Sequence, residues 1–269
     1  MGRRPRRASR WSVRLLGRVE VDLNGAPIRL AGRHAQALFA LLVLDRRRRP
    51  REAIAADLWP DANGASTACL RQALWLVKTG VAEAGIEPDR LLIVETDLLG
   101  LRPEAEIELD TTRFEQAARG RAADAELALE LYDGDLAEGL THECFAAERE
   151  RLSDLYEDAL SVAARQRLEC GDAEAARDAA ERLLARDPLR EEAHAVLIGV
   201  FGESGTRSQV VRQYRRLHAL LDRELAVEPL PETEAAYRQA LAASVDRSRR
   251  AVAATHGPLR LAPALVANA

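Results

Sequence analysis

Three cysteines, one lysine and no apolar run longer than eight residues set the first limits on this chain. Cys69, Cys144 and Cys170 are odd in number, widely spaced and never in a CxxC pair. That scatter excludes a disulfide framework and a zinc site, and it fits thiols kept reduced in a cytoplasm. The longest apolar stretch, Ala37 to Leu44, is far too short to cross a bilayer. No apolar segment of signal-peptide type follows the arginines at the amino terminus. The lone lysine is Lys78, and every other cation is arginine, a bias that GC-rich coding explains as readily as function.

What is present is a soluble globular composition, with 47% hydrophobic and 30% charged residues over 269 positions, enough for two cores. The net charge of −4 hides a division. Residues 1–102 carry 18 Arg and Lys against 11 Asp and Glu, whereas residues 103–269 carry 21 against 32. A basic first part joined to an acidic second part suggests that only the first meets a polyanion. Five of those positive charges, Arg3, Arg4, Arg6, Arg7 and Arg10, fall in a terminal stretch expected to be disordered, which leaves the rest of the first part only weakly basic.

The pattern along the chain changes period twice. Val13–Leu16 and Val19–Leu23 read as short strands, the turn pair Asn24-Gly25 follows, and Ile28–Leu30 reads as a third strand. From Arg33 to Leu44 the apolar residues recur at helical spacing. Pro50 marks the start of a short helix over Glu52–Trp59. After the loop Asp61–Gly64, Ser66 or Thr67 is the expected N-cap of a third helix. That helix has a stripe of Leu70, Leu74, Val77 and Val81, and Gly85 closes it. Leu91–Glu95 and Leu98–Arg102 then form a hairpin around Thr96-Asp97. Strands, two short helices, a long helix and a hairpin are the layout of a winged helix, with the third helix free to enter a DNA groove.

Beyond Leu109 the pattern is helical throughout, with helices expected at about 111–119, 123–132, 146–170, 172–186, 190–203, 206–226 and 231–243. Gly171 and Gly205 stand 34 residues apart, and with that offset Leu183 matches Leu217 and Ala180 matches Tyr214. A 34-residue period of helix pairs is the tetratricopeptide spacing. The stretch from about Ser244 lacks periodicity and is expected to be disordered.

The segments VRLLGRVEVDLNGAPIRL, REAIAADLWPD and ACLRQAL resemble the winged-helix domain of the Streptomyces antibiotic regulatory protein (SARP) family. LELYDGDLAEGL, AAERERLSDLY, GDAEAARDAAERLLARDPLREEAH and RELAVEPLPET resemble that family's bacterial transcriptional activator domain. The resemblance runs in order over about residues 12–241. It implies an OmpR-type DNA-binding domain over 12–103 and a tetratricopeptide-like domain over 109–243, between disordered ends at 1–11 and 244–269. It also implies RNA polymerase as a partner, tandem DNA sites occupied by more than one copy, and a role in secondary-metabolite gene clusters. The chain departs from the family after ACLRQAL: Leu76 and Thr79 stand where arginines are usual, and the helix-weakening Gly80 follows. Glu95 and Asp97 sit at the expected wing tip, where they would repel phosphates.

At 100° per residue the face of the third helix opposite its stripe holds Ala68, Gln72, Trp75, Leu76 and Thr79, flanked by Arg71 and Lys78. Gln72 suits adenine and Arg71 suits guanine, since amides and guanidiniums match those base edges in pairs. Arg33, Arg48, Arg49 and Arg51 lie near helix starts, where they suit phosphate contacts. The candidate DNA-binding residues are therefore Arg33, Arg48, Arg49, Arg51, Ser66, Thr67, Arg71, Gln72, Trp75, Lys78 and Thr79. No catalytic, cofactor or metal site is expected. Lys78-Thr79 imitates the end of a phosphate-binding loop, but Gln72 and Val77 occupy its glycine positions, and no HExxH or GxSxG occurs. The sequence supports a mainly α, cytoplasmic transcription regulator acting on double-stranded DNA. The rival is a protein-interaction adaptor whose winged helix no longer reads DNA, a reading that Trp75, Leu76 and the acidic wing favour.

Overall fold

The computed structural model describes residues 10–62, 64–121, 124–204 and 206–255. They fall into two compact units, one ending at Ala159 and the other beginning at Leu160.

The first unit starts with β1 (Arg10–Arg14), β2 (Glu20–Leu23) and β3 (Ala26–Pro27) in an antiparallel meander. Its strands alternate because one face must be buried: Trp11, Val13, Val21 and Leu23 point into the core and their neighbours do not. The Asn24-Gly25 turn links β2 and β3 as expected, with both residues at positive φ. Next come α1 (Gly32–Leu44), β4 (Arg49–Pro50), α2 (Arg51–Leu58) and α3 (Ser66–Glu83). The hairpin of β5 (Leu92–Val94) and β6 (Leu98–Leu101) follows, and β4 pairs with β6 to complete a three-stranded wing sheet. α1 is apolar on nearly every side, with eight buried residues from Ala35 to Val43, so it forms the centre against which α3 packs.

β7 (Glu106–Leu109) then returns to the first sheet and lies parallel to β1. It leads into α4 (Asp110–Ala118), α5 (Ala125–Leu131) and the first part of α6 (Ala146–Glu169). These helices belong to the same compact unit as the winged helix. Asp110 fastens them. Its buried carboxylate accepts hydrogen bonds from the backbone N–H of Leu15 at 2.8 Å, Leu16 at 2.8 Å and Thr111 at 2.7 Å. Burial pushes this carboxyl up from its ordinary pKa, while the amide donors pull it back. A second seam lies alongside: Ala137 N–H donates to the Leu15 carbonyl, Gly17 N–H to Asp135, and Glu138 N–H to Gly17. Tyr132 stacks on Tyr156 at 4.0 Å, and Arg151 of α6 pairs with Glu115 of α4.

The second unit is helical: the end of α6, α7 (Ala173–Arg186), α8 (Glu191–Glu203), α9 (Arg207–Leu225) and α10 (Pro231–Thr255). α7 and α9 begin 34 residues apart, and Leu183 and Leu217 are both fully buried, as the repeat required. α8 is the central helix, packed on α7, α9 and α10, with Gly202 against Ala240. Its His194 is buried, with Nε2 3.0 Å from the Pro188 carbonyl and Nδ1 2.8 Å from the Gln213 amide. A neutral ring donating from Nε2 and accepting at Nδ1 satisfies both partners. Desolvation holds this histidine below its ordinary pKa.

The structure corrects several sequence expectations. Arg10 and Trp11 are not part of a disordered tail: Trp11 is 2% exposed and pairs with Leu23 and Ile107 on an interior strand of the first sheet. Residues 1–9 of that tail lie outside the described residues. The stretch from Ser244 is helical to Thr255, because no proline interrupts α10 and Ser244 is buried, its hydroxyl donating to the Leu241 carbonyl. Residues 256–269 lie outside the described residues, as does Gly205, so the Gly171–Gly205 match cannot be followed there. Ile28 and Leu30 are buried but lie past the third strand, which is Ala26–Pro27; Ile28 keeps one hydrogen bond to β2, its N–H donating to the Val21 carbonyl. β7 lies where the sequence reading left a gap between domains ending at 103 and beginning at 109; its parallel partner β1 is 96 residues upstream, Arg10 against Glu106, and leaves no local signal. Among the described residues no helix is long and apolar enough to cross a membrane.

Two predictions follow from the buried polar groups. Asp110→Asn keeps the shape but offers one acceptor oxygen to three amides, so unfolding free energy should fall by about 1–3 kcal/mol in denaturant titration; an unchanged midpoint contradicts the clamp. Because the folded pKa of His194 lies below its ordinary value near 6.5, the unfolded chain takes up the proton first. Stability is therefore full above that pH and is lost as pH falls below it. The melting temperature should drop between about pH 7 and pH 5, and His194→Gln should flatten that slope.

Candidate nucleic-acid interface

The register of α3 decides what it shows to solvent. Leu70, Leu74, Val77 and Val81 are buried, as the stripe required, together with Ala73 and Gly80. The opposite face exposes Thr67, Ala68, Arg71, Gln72 and Trp75, while Leu76, Lys78 and Thr79 are partly covered. Trp75 is 63% exposed, the most open large apolar side chain among the described residues. α3 carries no carboxylate before Glu83. Among the described residues Arg71, Gln72 and Lys78 have no side-chain hydrogen-bond or ion-pair partner. The Thr79 hydroxyl is already used, donating to the Trp75 carbonyl at 2.9 Å.

Neither Ser66 nor Thr67 caps the helix, contrary to expectation. The N-cap is Ala65, with no side-chain bond, because the helix begins at Ser66 and that hydroxyl sits one position too late. The first turn holds no acid, so no carboxylate of that turn offsets its leading N–H groups or the positive end of the helix dipole. At the other end Gly85 closes α3 at positive φ, its N–H donating to Ala82.

Gly80 has a structural reason that the sequence did not reveal. A Cβ at this position would lie 2.5 Å from the Arg29 carbonyl oxygen. The glycine lets α3 approach the strand-to-α1 connection closely, which the usual helix penalty of about 1 kcal/mol conceals.

The arginines of the wing base are arranged differently from α3. Arg48 lies 3.6 Å from Glu95, Arg49 donates to Asp57 at 2.6 Å, and Arg51 reaches the Glu95 carbonyl at 3.4 Å. The Arg51 backbone N–H also donates to the Asp97 carbonyl. Arg48 and Arg51 thus meet acceptors of the wing, and Arg49 meets a carboxylate of α2. Arg33 stands exposed in the first turn of α1, which has neither an acid nor a side-chain cap.

The cleft beside β1 and α4 suits an anion less well. It has a volume of about 550 Å³ and sets Glu20, Glu108, Glu130, Asp133 and Glu138 against Arg14, Arg18 and Arg113. In the second unit, Leu225 at the end of α9 and Val227 and Leu230 in the connection to α10 are exposed apolar side chains that fit no helical period. Burial pushes the Cys144 thiol up to about 11, which makes it unreactive at neutral pH. Among the described residues no three His, Cys, Asp or Glu side chains are placed to hold a metal ion.

Comparison with known proteins follows from this geometry. Residues 99–241, more than half of the chain, match the bacterial transcriptional activator domain. The chain belongs to that family. The transcriptional regulatory protein MoaR1 of Mycobacterium tuberculosis is 26% identical over 250 residues, covering 84% of this chain and 78% of its relative. MoaR1 of Mycobacterium bovis matches over the same extent at 26% identity. Among solved structures, EmbR of Mycobacterium tuberculosis, in complex with a low-affinity phosphopeptide, superposes with a TM-score of 0.69. That match covers 92% of this chain and 70% of EmbR at 23% identity, and it establishes the shared fold. The bacterial transcriptional activator domain here is thus part of a transcription regulator of the SARP type, mainly α-helical with a small amino-terminal sheet region.

The Gly80 contact gives a test of the α3 geometry. Gly80→Ala should lower stability despite alanine's better helix propensity, because the Arg29 carbonyl must move. A melting temperature raised by the substitution contradicts the close approach.

Proposed function

We propose that this regulator binds double-stranded DNA sequence-specifically through α3, laid in a major groove, and that its helical domain contacts RNA polymerase or a second copy on a tandem site. The observation that carries the reading is the exposed face of α3: Arg71, Gln72 and Lys78 unpaired, on a helix with no acid before Glu83. Gln72 and Arg71 supply base-edge readout, each good bidentate pair worth about 1–3 kcal/mol of discrimination. Arg33 and the uncapped first turns of α1 and α3 supply phosphate contacts. Arg48 and Arg49 contribute less to this reading, since Glu95 and Asp57 already offset them, and Arg51 is turned to the Glu95 carbonyl. Ser66 and Thr67, freed from capping, stand at the helix start where a hydroxyl can donate to a phosphate.

The exposed indole of Trp75 favours a second reading, an adaptor that uses this face for a protein. In vitro selection from random duplex DNA with the full chain, near physiological salt and with excess non-specific competitor, separates the two. Enrichment of a short motif that Arg71→Ala or Gln72→Ala abolishes is the expected result. Absence of any enriched motif for the unaltered chain sinks the DNA reading.

A further inference from the structure

Trp75 is a costly residue to leave in water, and the face around it is mixed rather than uniformly basic. Its indole is 63% exposed, and its ring N–H has no partner among the described residues. Ala68, exposed, and Leu76, partly covered, extend the apolar surface, while Gln72 stands one turn before it and Arg71 beside that turn. A helix face meant only for phosphates would carry cations here. A face meant for a basic or neutral protein partner would not keep two unpaired cations and exclude every carboxylate from Ser66 to Ala82.

One feature of the major groove matches this combination. Thymine alone presents a methyl group there, with the O4 acceptor next to it. Tryptophan offers an apolar plane with a single N–H donor. We propose that Trp75 is a specificity-determining residue that reads the thymine C5-methyl in the major groove, on a base pair adjacent to the one read by Gln72. This rests on the DNA-binding reading above. The spacing supports it: Gln72 and Trp75 are three residues apart, about 4.5 Å along the helix axis at 1.5 Å per residue, against about 3.4 Å between base pairs. Gln72 suits adenine, so the two residues together favour consecutive A·T pairs.

The test removes single methyl groups from the DNA. In the duplex enriched by selection with the full chain, each thymine is replaced in turn by deoxyuridine, which keeps the base pair and O4 and loses only the methyl. Dissociation constants are measured for the unaltered chain, Trp75→Ala and Trp75→Phe. At one thymine the unaltered chain should bind about three- to fivefold more weakly, the worth of one buried methyl group. Trp75→Ala should lose sensitivity at that position alone, and Trp75→Phe should keep it. An unchanged melting temperature for both variants, expected for an exposed site, shows that folding is not the cause. An enriched motif whose thymines are all indifferent to methyl removal overturns this proposal and leaves DNA binding intact. So does methyl sensitivity that survives in Trp75→Ala. No enriched motif at all overturns both, and leaves Trp75 as a contact for a protein.

Discussion

The buried stripe of α3 is the constraint on which the rest of this molecule's reading depends. Leu70, Leu74, Val77 and Val81 must enter the core, and each side chain so buried is worth about 1.5–3 kcal/mol. With Gly80 pressed on the Arg29 carbonyl, that packing leaves α3 no freedom to rotate about its axis. The outward direction of Arg71, Gln72 and Trp75 is therefore a consequence of core packing, and needs no ligand to arrange it. Preorganisation of this kind is what a groove-reading helix requires, because side chains that must first be ordered bind more weakly.

The second constraint is the Asp110 clamp. A carboxylate that receives three backbone amides in the interior holds the start of α4 to the end of β1, and the strand-like seam from Asp135 to Glu138 runs beside it. The winged helix and the first helices of the activator domain thus share one compact unit. The family match from residue 99 to residue 241 begins inside the wing and ends in α10, so the matched segment draws on both units.

Periodicity carried most of the architecture. The helical spacing of Ala35 to Leu42 and of Leu70 to Val81, and the 34-residue offset of Leu183 and Leu217, each encode a burial pattern that the structure contains. What stayed hidden depends on distant partners. β7 is a strand only because β1 lies beside it, and Trp11 belongs to a sheet only through Leu23 and Ile107. The site was legible in part. The outward face of α3 follows from the stripe by geometry alone. The pairing of Arg48 with Glu95 and of Arg49 with Asp57 does not, since both carboxylates are remote from the arginine run or reached by folding back. Gly80, helix-weakening by propensity, owes its place to the contact with the Arg29 carbonyl, which no local pattern encodes.

Of the three tryptophans, Trp11 and Trp59 are buried and only Trp75 is open to solvent, which makes it a native reporter of the α3 face. The most direct measurement is acrylamide quenching of tryptophan emission in the full chain, with and without a saturating concentration of its selected duplex, using Trp75→Phe to identify the Trp75 signal. The account predicts that the quenchable component, present in the free protein and missing in Trp75→Phe, disappears when the duplex binds. A Trp75 that stays fully quenchable while the duplex is bound contradicts it.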